Sequence, residues 1–338
     1  MFSFKNDYSE GCHPLILEAL TRTNLEQTVG YGLDEHCIHA SELIRNAFSC
    51  PDADIHFLCG GTQTNLTAIA AFLRPHHCVI AASTGHVNVH ETGAIEATGH
   101  KVITLPAEQG KLTPEHIQQL AADHTDEHMV KPGLVYISQS TELGTVYTLA
   151  ELEAISHCCR ENGLLLYLDG ARLGCALSSA DCDMRPADLS RLCDAFYIGG
   201  TKNGALFGEA LVIVNEALKP DFRFFVKQRG GMLAKGRLLG IQFEELFRSD
   251  LYFQLGRHAN TLAQQLQEDL EDAGIPMLLR SPTNQIFPIL TPDLYARFKS
   301  LALFEDWSTL PDGRRVIRLV TSWATTQQQV DDFLRALL

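Results

Sequence analysis

Between about residue 55 and residue 215, short apolar runs alternate with stretches of helical spacing. Ile55–Leu58, Cys78–Ala82, Val102–Leu105, Leu134–Ser138, Leu164–Asp169, Ala195–Ile198 and Ala210–Val214 are apolar along most of their length, as strands covered on both faces are. Gln63–Leu73 and Leu149–Glu161 read as helices between them; Thr148, with Glu151 three residues on, predicts a capped start for the second. Such alternation predicts an α/β fold with a mostly parallel sheet covered by helices. Ligands on these sheets bind beyond the carboxyl ends of the strands, so the polar residues that end each run are the ones to read for chemistry.

After Phe243 the pattern changes. Leu251, Leu255, Leu262, Leu266 and Leu270 recur at spacings of four and seven, which predicts a long amphipathic helix ending near Gly274. Strands over Gln285–Leu290 and Val316–Val320 follow, then a helix from about Gln327. The expected division is a segment over 1–14, a large α/β domain over 15–242 and a smaller α+β domain over 243–338. Ala121–Pro132, rich in His, Asp and Glu, reads as a surface loop.

Composition narrows the classes. With 45% hydrophobic and 20% charged residues among 338, the chain has the makeup of a globular enzyme with a large core. A net charge of −14 disfavours nucleic acid and anionic membrane surfaces. No apolar run reaches the ~18 residues of a membrane span, and the N-terminus lacks a signal-peptide core. The ten cysteines follow no metal or redox spacing, which predicts reduced thiols and a cytoplasmic location. His116, His124 and His128 fall in no ligand pattern either, so no metal is expected.

Two runs end in unusual chemistry. Leu166-Tyr-Leu-Asp169-Gly-Ala-Arg172 delivers a carboxylate and a guanidinium, and Ala195-Phe-Tyr-Ile-Gly-Gly-Thr-Lys202 delivers a single amine. A lysine at the mouth of a buried strand is costly unless its charge is matched or its pKa lowered. A lowered pKa suits imine formation, since only the neutral amine attacks an aldehyde. Asp169, Arg172 and Lys202 in that order point to pyridoxal phosphate. Gly60-Gly61-Thr62 follows one strand and opens a helix, a place where backbone N–H groups can meet a phosphate; a glycine kept there for steric reasons is the bland alternative. His86 comes directly off another strand and could stack on a ring. Arg318 interrupts an apolar strand, either as an exposed edge charge or as a carboxylate-holding fork.

Together these residues resemble the low-specificity L-threonine aldolases, a β-eliminating-lyase family of fold-type-I pyridoxal-phosphate enzymes, over nearly the whole chain. The resemblance implies the fold-type-I transferase-like architecture and pyridoxal 5'-phosphate as cofactor. It also implies cleavage of β-hydroxy-α-amino acids, L-threonine or L-allo-threonine giving glycine and acetaldehyde. Lys202 matches the Schiff-base lysine, Asp169 the partner of the ring nitrogen, His86 the ring-stacking histidine and candidate base, and Gly60, Gly61 and Thr62 the phosphate turn. Arg172 and Arg318 would clamp the substrate carboxylate, with Asn6 of the N-terminal segment as helper; Arg172 could instead be a surface or phosphate-side residue. Tyr31, in Gly30-Tyr31-Gly32, and Arg229 and Lys235, in a glycine-rich basic segment, match groups that reach a neighbouring subunit's cofactor. A homodimer or homotetramer with shared sites is therefore expected. Sequence alone would make that segment a solvated basic loop.

One motif departs from the family. Many members carry Asn-Thr-His where this chain has Gln139-Ser140-Thr141-Glu142, so the histidine on the hydroxyl side of the substrate is absent. Glu142 or His90 could serve that side, against readings of a loop carboxylate and a surface histidine. The rival enzymatic reading is β-elimination, racemisation or transamination on the same scaffold. The rival from another class is a non-catalytic binding protein. Gly60-Gly61-Thr62 lacks the G-x-G-x-x-G spacing of a dinucleotide site.

Overall fold

The computed structural model describes residues 1–337. After a short strand β1 (Phe2–Ser3), the chain builds a seven-stranded sheet from β2 (Asp54–Leu58), β3 (His77–Ala82), β4 (Val102–Leu105), β5 (Lys131–Ser138), β6 (Leu165–Asp169), β7 (Ala195–Gly199) and β8 (Glu209–Ile213). Their order across the sheet is β2-β8-β7-β6-β5-β3-β4. Only β8 runs against its neighbours, pairing antiparallel with β2 and β7. The predicted strands thus form one mostly parallel sheet, and alternation sorts their residues between two cores. Ile80, Val135, Leu166 and Phe196 pack on one face, and Val79, Leu134, Tyr167 and Ala195 on the other.

The predicted helices appear over Gly61–Phe72 and Leu149–Glu161, the second with the full Thr148–Glu151 capping box. The long helix Leu251–Asp272 joins two cores. Leu251, Tyr252 and Leu255 belong to the large one, whereas Leu262, Leu266 and Leu270 pack with Ile317, Leu319 and Phe333. That second core lies on a small sheet of β9 (Gln285–Ile286), β10 (Ile289–Leu290), β12 (Glu305–Thr309) and β13 (Arg315–Val320), in the order β10-β13-β12 with β9 also on β13. β1 pairs with β11 (Ala302–Leu303), and Phe4 is buried in the small core. The N-terminus is therefore stitched to the C-terminal lobe, and the chain runs from there towards the large sheet.

Two predicted segments differ in detail. Gln285–Leu290 is split into β9 and β10 because Pro288, between them, has no N–H to give the ladder. Ala121–Pro132 is a loop only in its middle: its first residues finish the helix Pro114–Asp123 and its last open β5. Among the described residues, all ten cysteines are free and no helix is long and apolar enough to cross a membrane.

Candidate active site

The carboxyl ends of β2, β3, β5, β6 and β7 share one edge of the large sheet. Because β8 is antiparallel, its amino end meets them there. A cavity of about 420 Å³ opens at this edge, within the range of small-molecule sites. Its walls include Gly60, Gly61 and Thr62 after β2, His86 and His90 after β3, and Glu142 after β5. Asp169 and Arg172 after β6, Lys202 after β7 and Glu209 on β8 complete them. Asp169 and Lys202 come together because glycines let their strand ends touch. A Cβ on Gly170 would lie 1.9 Å from the Tyr197 carbonyl oxygen, and one on Gly199 would lie 2.3 Å from that of Ala171.

Asp169 is buried, yet its oxygens are well served. Oδ2 accepts the Tyr136 hydroxyl at 2.5 Å and the Asn65 amide at 3.0 Å, and Oδ1 accepts the Ala171 N–H at 3.0 Å. Burial alone would raise its pKa; the charge of His86 and hydrogen bonds from Tyr136, Tyr197 and Asn65 outweigh it, so Asp169 stays an anion. Lys202 is pushed the opposite way. Burial and then the Arg172 charge lower its pKa against the pull of Asp7, Asp169 and Glu209. Glu209, raised by burial, accepts the Gly200 N–H at 3.0 Å and the Thr201 hydroxyl at 2.8 Å. It thereby braces the loop that carries the lysine.

The imidazole of His86 lies 2.8 Å from Glu91 through Nδ1, and its backbone N–H donates to Glu142 at 3.0 Å. Glu142 also accepts the Ser138 hydroxyl at 2.7 Å, and burial raises its pKa. His90 is 5.5 Å from His86 between ring centres and, among the described residues, its side chain makes no hydrogen bond. Burial, His86, Arg318 and Lys202 all depress its pKa, which favours the neutral imidazole.

The carboxylate clamp expected from sequence is rearranged. Arg172 gives its fork to Asp7, at 2.7 Å from Nε and 3.1 Å from Nη2. Asn6 turns away into its own loop, where Oδ1 accepts the Tyr8 N–H and the Ser9 hydroxyl. Arg318 is not one of the cavity's lining residues; it lies over the Trp307 ring, 5.5 Å from its centre. Among the described residues its one hydrogen bond goes to Gln285 at 3.3 Å, and its buried Nε has no partner. Among the described residues it is paired with no carboxylate.

Tyr31, Arg229 and Lys235 do not enter this cavity. Tyr31 lines a second, small one with Arg223, beneath Lys227, whose ammonium sits 4.9 Å above the tyrosine ring. The Arg229 carbonyl accepts from Gln63 on the helix that follows Gly60, and Lys235 is exposed. Sequence reasoning missed Asp7, Asn65, Glu91 and Glu209. Each is a polar residue beside a chosen motif, and nothing local marks it as buried.

Comparison with known proteins agrees with this architecture. The family model described as beta-eliminating lyase matches residues 8–292. The chain is 33% identical over 337 residues to the low specificity L-threonine aldolase of Pseudomonas aeruginosa, covering 98% of this chain and 96% of that one. It is 35% identical over 289 residues to the one from Pseudomonas sp., covering 84% and 83%. A solved structure of Leishmania major threonine aldolase superposes with a TM-score of 0.98 at 51% identity, covering 100% and 98% of the two chains. Aspartate aminotransferase of Thermus thermophilus, 14% identical with a TM-score of 0.72 over 99% and 90%, shares the fold.

Proposed function

The chain belongs to the beta-eliminating lyase family, and from that premise we propose that it cleaves L-threonine and L-allo-threonine to glycine and acetaldehyde, with pyridoxal phosphate as cofactor. One observation carries the reading: an anionic Asp169 and a pKa-depressed Lys202 face the same cavity from adjacent strand ends.

The residues present fit the cofactor. The helix Gly61–Phe72 has no side-chain cap, so its first N–H groups are free for a phosphate. A Cβ on Gly61 would come 2.9 Å from the Tyr197 hydroxyl, so the backbone there can approach closely only as glycine. Gly60, Gly61 and Thr62 would hold the phosphate, Asp169 the ring nitrogen, His86 the ring face and Lys202 the aldehyde carbon. Pyridoxal phosphate, when bound, supplies an electron sink for the charge left at Cα.

The chain's own groups do the rest. Lys202, whose pKa burial and the Arg172 charge lower, would supply the amine that attacks. Asp169, kept charged by three hydrogen bonds, would hold a proton on the ring nitrogen. Arg318, a half-buried guanidinium that pairs with no carboxylate among the described residues, would take the substrate carboxylate. His86 would accept the β-hydroxyl proton, with His90 and Glu142 beside it shaping the aldehyde side. Arg172, filled by Asp7, would set the field around Lys202.

We further propose a homodimer or dimer of dimers in the cytoplasm that supplies glycine and consumes threonine, with Tyr31, Arg229 and Lys235 serving a neighbouring site. The division at 1–14, 15–242 and 243–338 is proposed on the change of sequence pattern after Phe243; the core itself changes further along, between Leu255 and Leu262 of the long helix. Incubation with threonine, allo-threonine, serine and phenylserine, with aldehyde and ammonia measured in parallel, tests the reading. Glycine and acetaldehyde from threonine are expected. Keto acid and ammonia as main products would replace it by β-elimination, alanine formed from added pyruvate by transamination, and inverted substrate by racemisation.

A further inference from the structure

Behind the cavity wall lies a second carboxylate that the proposed reaction does not use. The Glu91 side chain is fully out of solvent, and among the described residues its one ion-pair partner is His86. Its Oε1 sits 2.8 Å from His86 Nδ1 and also 2.8 Å from the amide nitrogen of Asn65. That same nitrogen is 3.0 Å from Asp169 Oδ2, and the Asn65 carbonyl accepts the Tyr167 hydroxyl at 3.1 Å. Asn65 therefore spends both amide hydrogens on two carboxylates. Flipped, it would aim a carbonyl oxygen at both, so its orientation is fixed. Neither Asn65 nor Glu91 touches the cavity.

A buried carboxylate with this little compensation is expensive, and Glu91 Oε2 has no partner at all. Stability alone gives no reason to keep it. Its position gives one: a carboxylate on one imidazole nitrogen selects the tautomer and aims the other nitrogen. We propose that Glu91, locked by Asn65, is a positioning residue that accepts the Nδ1–H of His86 and leaves Nε2 bare towards the cavity. Asn65 in turn ties this pair to Asp169, so the group on the ring face and the group on the ring nitrogen share one rigid hydrogen-bonded frame. The inference rests on the reading of His86 as proton acceptor.

The groups facing His86 are Glu91, Glu142, His90 and Asp169, and any pH profile reports all of them together. The primary test is therefore the tautomer itself. In holoenzyme carrying ring-¹⁵N histidine, with H86N used to assign the signal, Nδ1 of His86 should be protonated and Nε2 bare near neutral pH. A protonated Nε2 overturns the proposal without any variant. In Glu91→Gln the turnover of threonine should fall about 10²- to 10⁴-fold, the scale of losing an oriented proton acceptor. KM should change little, and the visible band of the bound cofactor should persist. Glu91→Gln that binds cofactor and turns over within twofold of wild type, with the His86 signals unmoved, would also overturn it. A wild-type protein that shows the Nδ1–H tautomer but does not cleave threonine sinks the proposed function and leaves the Glu91–His86 frame standing.

Discussion

Asp7 and Arg172 form a bidentate ion pair, 2.7 Å at Nε and 3.1 Å at Nη2, with the Asp7 side chain 1% and the Arg172 side chain 11% exposed. Asn284 adds a third donor to Asp7 at 3.0 Å. The pair joins three parts of the molecule: the N-terminal segment, the turn after β6 and the C-terminal lobe.

Asp7→Asn should consequently unlatch all three. It leaves a buried guanidinium without its counter-charge, a change that costs about 3–5 kcal/mol when one partner of a buried pair is removed. Burial pushes the pKa of Asp7 up, and the charges of Arg172 and Lys202 with hydrogen bonds from Arg172 and Asn284 pull it below the ordinary carboxylate value. A carboxylate with a depressed folded pKa stabilises fully above its unfolded pKa and loses that contribution as pH falls through the folded one. Thermal unfolding of the variant should occur at lower temperature near pH 7. Its acid limb should also be shallower than wild type, because the group that titrates there is gone. An unchanged acid limb would refute this account of the pair.

Lys202 yields the opposite sign. Its folded pKa lies below 10.5, so between the two values the unfolded chain binds more protons and stability rises with pH. At neutral pH the buried amine is thus a liability in the cofactor-free protein. Lys202→Met should make that form more stable by about 0.5–2 kcal/mol, as relief of a strained functional site does. The gain should shrink as pH approaches 10.5, and the variant with pyridoxal phosphate should show no band beyond that of the free cofactor. Cofactor-free wild type that melts at the same or higher temperature than Lys202→Met near pH 7 would contradict it.

These two residues also show how far the sequence could be read. Lys202 was legible because an amine at the end of Ala195–Ile198 has no reason to be there other than chemistry. Asp169, Gly60–Thr62 and His86 were found by the same strand-end argument, Glu142 and His90 only as candidates for the side left open by the missing Asn-Thr-His histidine, and one cavity gathers them all. Asp7 was not legible as the partner of Arg172, since 165 residues separate them and the pairing exists only once β1 has docked on the C-terminal lobe. Asn65 and Glu91 failed for a related reason: a polar residue inside a helix or turn looks solvated until the fold buries it. The strand over Gln285–Leu290 was drawn too long because apolar periodicity outweighed the single proline that divides it.

Arg318 should govern affinity more than turnover. Its guanidinium has a ring beneath it, one weak hydrogen bond and a buried Nε with no acceptor. Burial and the nearby Arg172 charge push its pKa down, so an incoming carboxylate would satisfy donors that now lack partners. A hydrogen bond to a charged group contributes about 1.5–3 kcal/mol. Arg318→Lys, which keeps the charge and loses the fork, should raise KM for threonine about ten- to a hundredfold with a smaller change in kcat. A fall in kcat at constant KM would instead place Arg318 away from the substrate carboxylate.

The segment before residue 35 is ordered by polar contacts but apolar on its outside. Arg237 donates to the carbonyls of Thr23, Asn24 and Glu26 at 2.9–3.1 Å, which fixes the backbone. Leu25, Val29 and Leu33 are nevertheless 91%, 64% and 54% exposed. A loop held in shape with its apolar side chains uncovered is the surface that an interface covers. It also carries Tyr31, one of the groups proposed to serve a neighbouring site. Replacing Leu25 and Val29 together by aspartate should therefore dissociate the assembly. Losing apolar anchors at an interface centre costs about 2 kcal/mol or more, roughly thirtyfold in association constant. Sedimentation should show a shift towards monomer with unchanged circular dichroism. Pyridoxal phosphate should bind more weakly in step, because Tyr31, Arg229 and Lys235 leave with the partner. Wild-type protein that sediments as a monomer, yet binds the cofactor tightly, would show that each chain completes its own site.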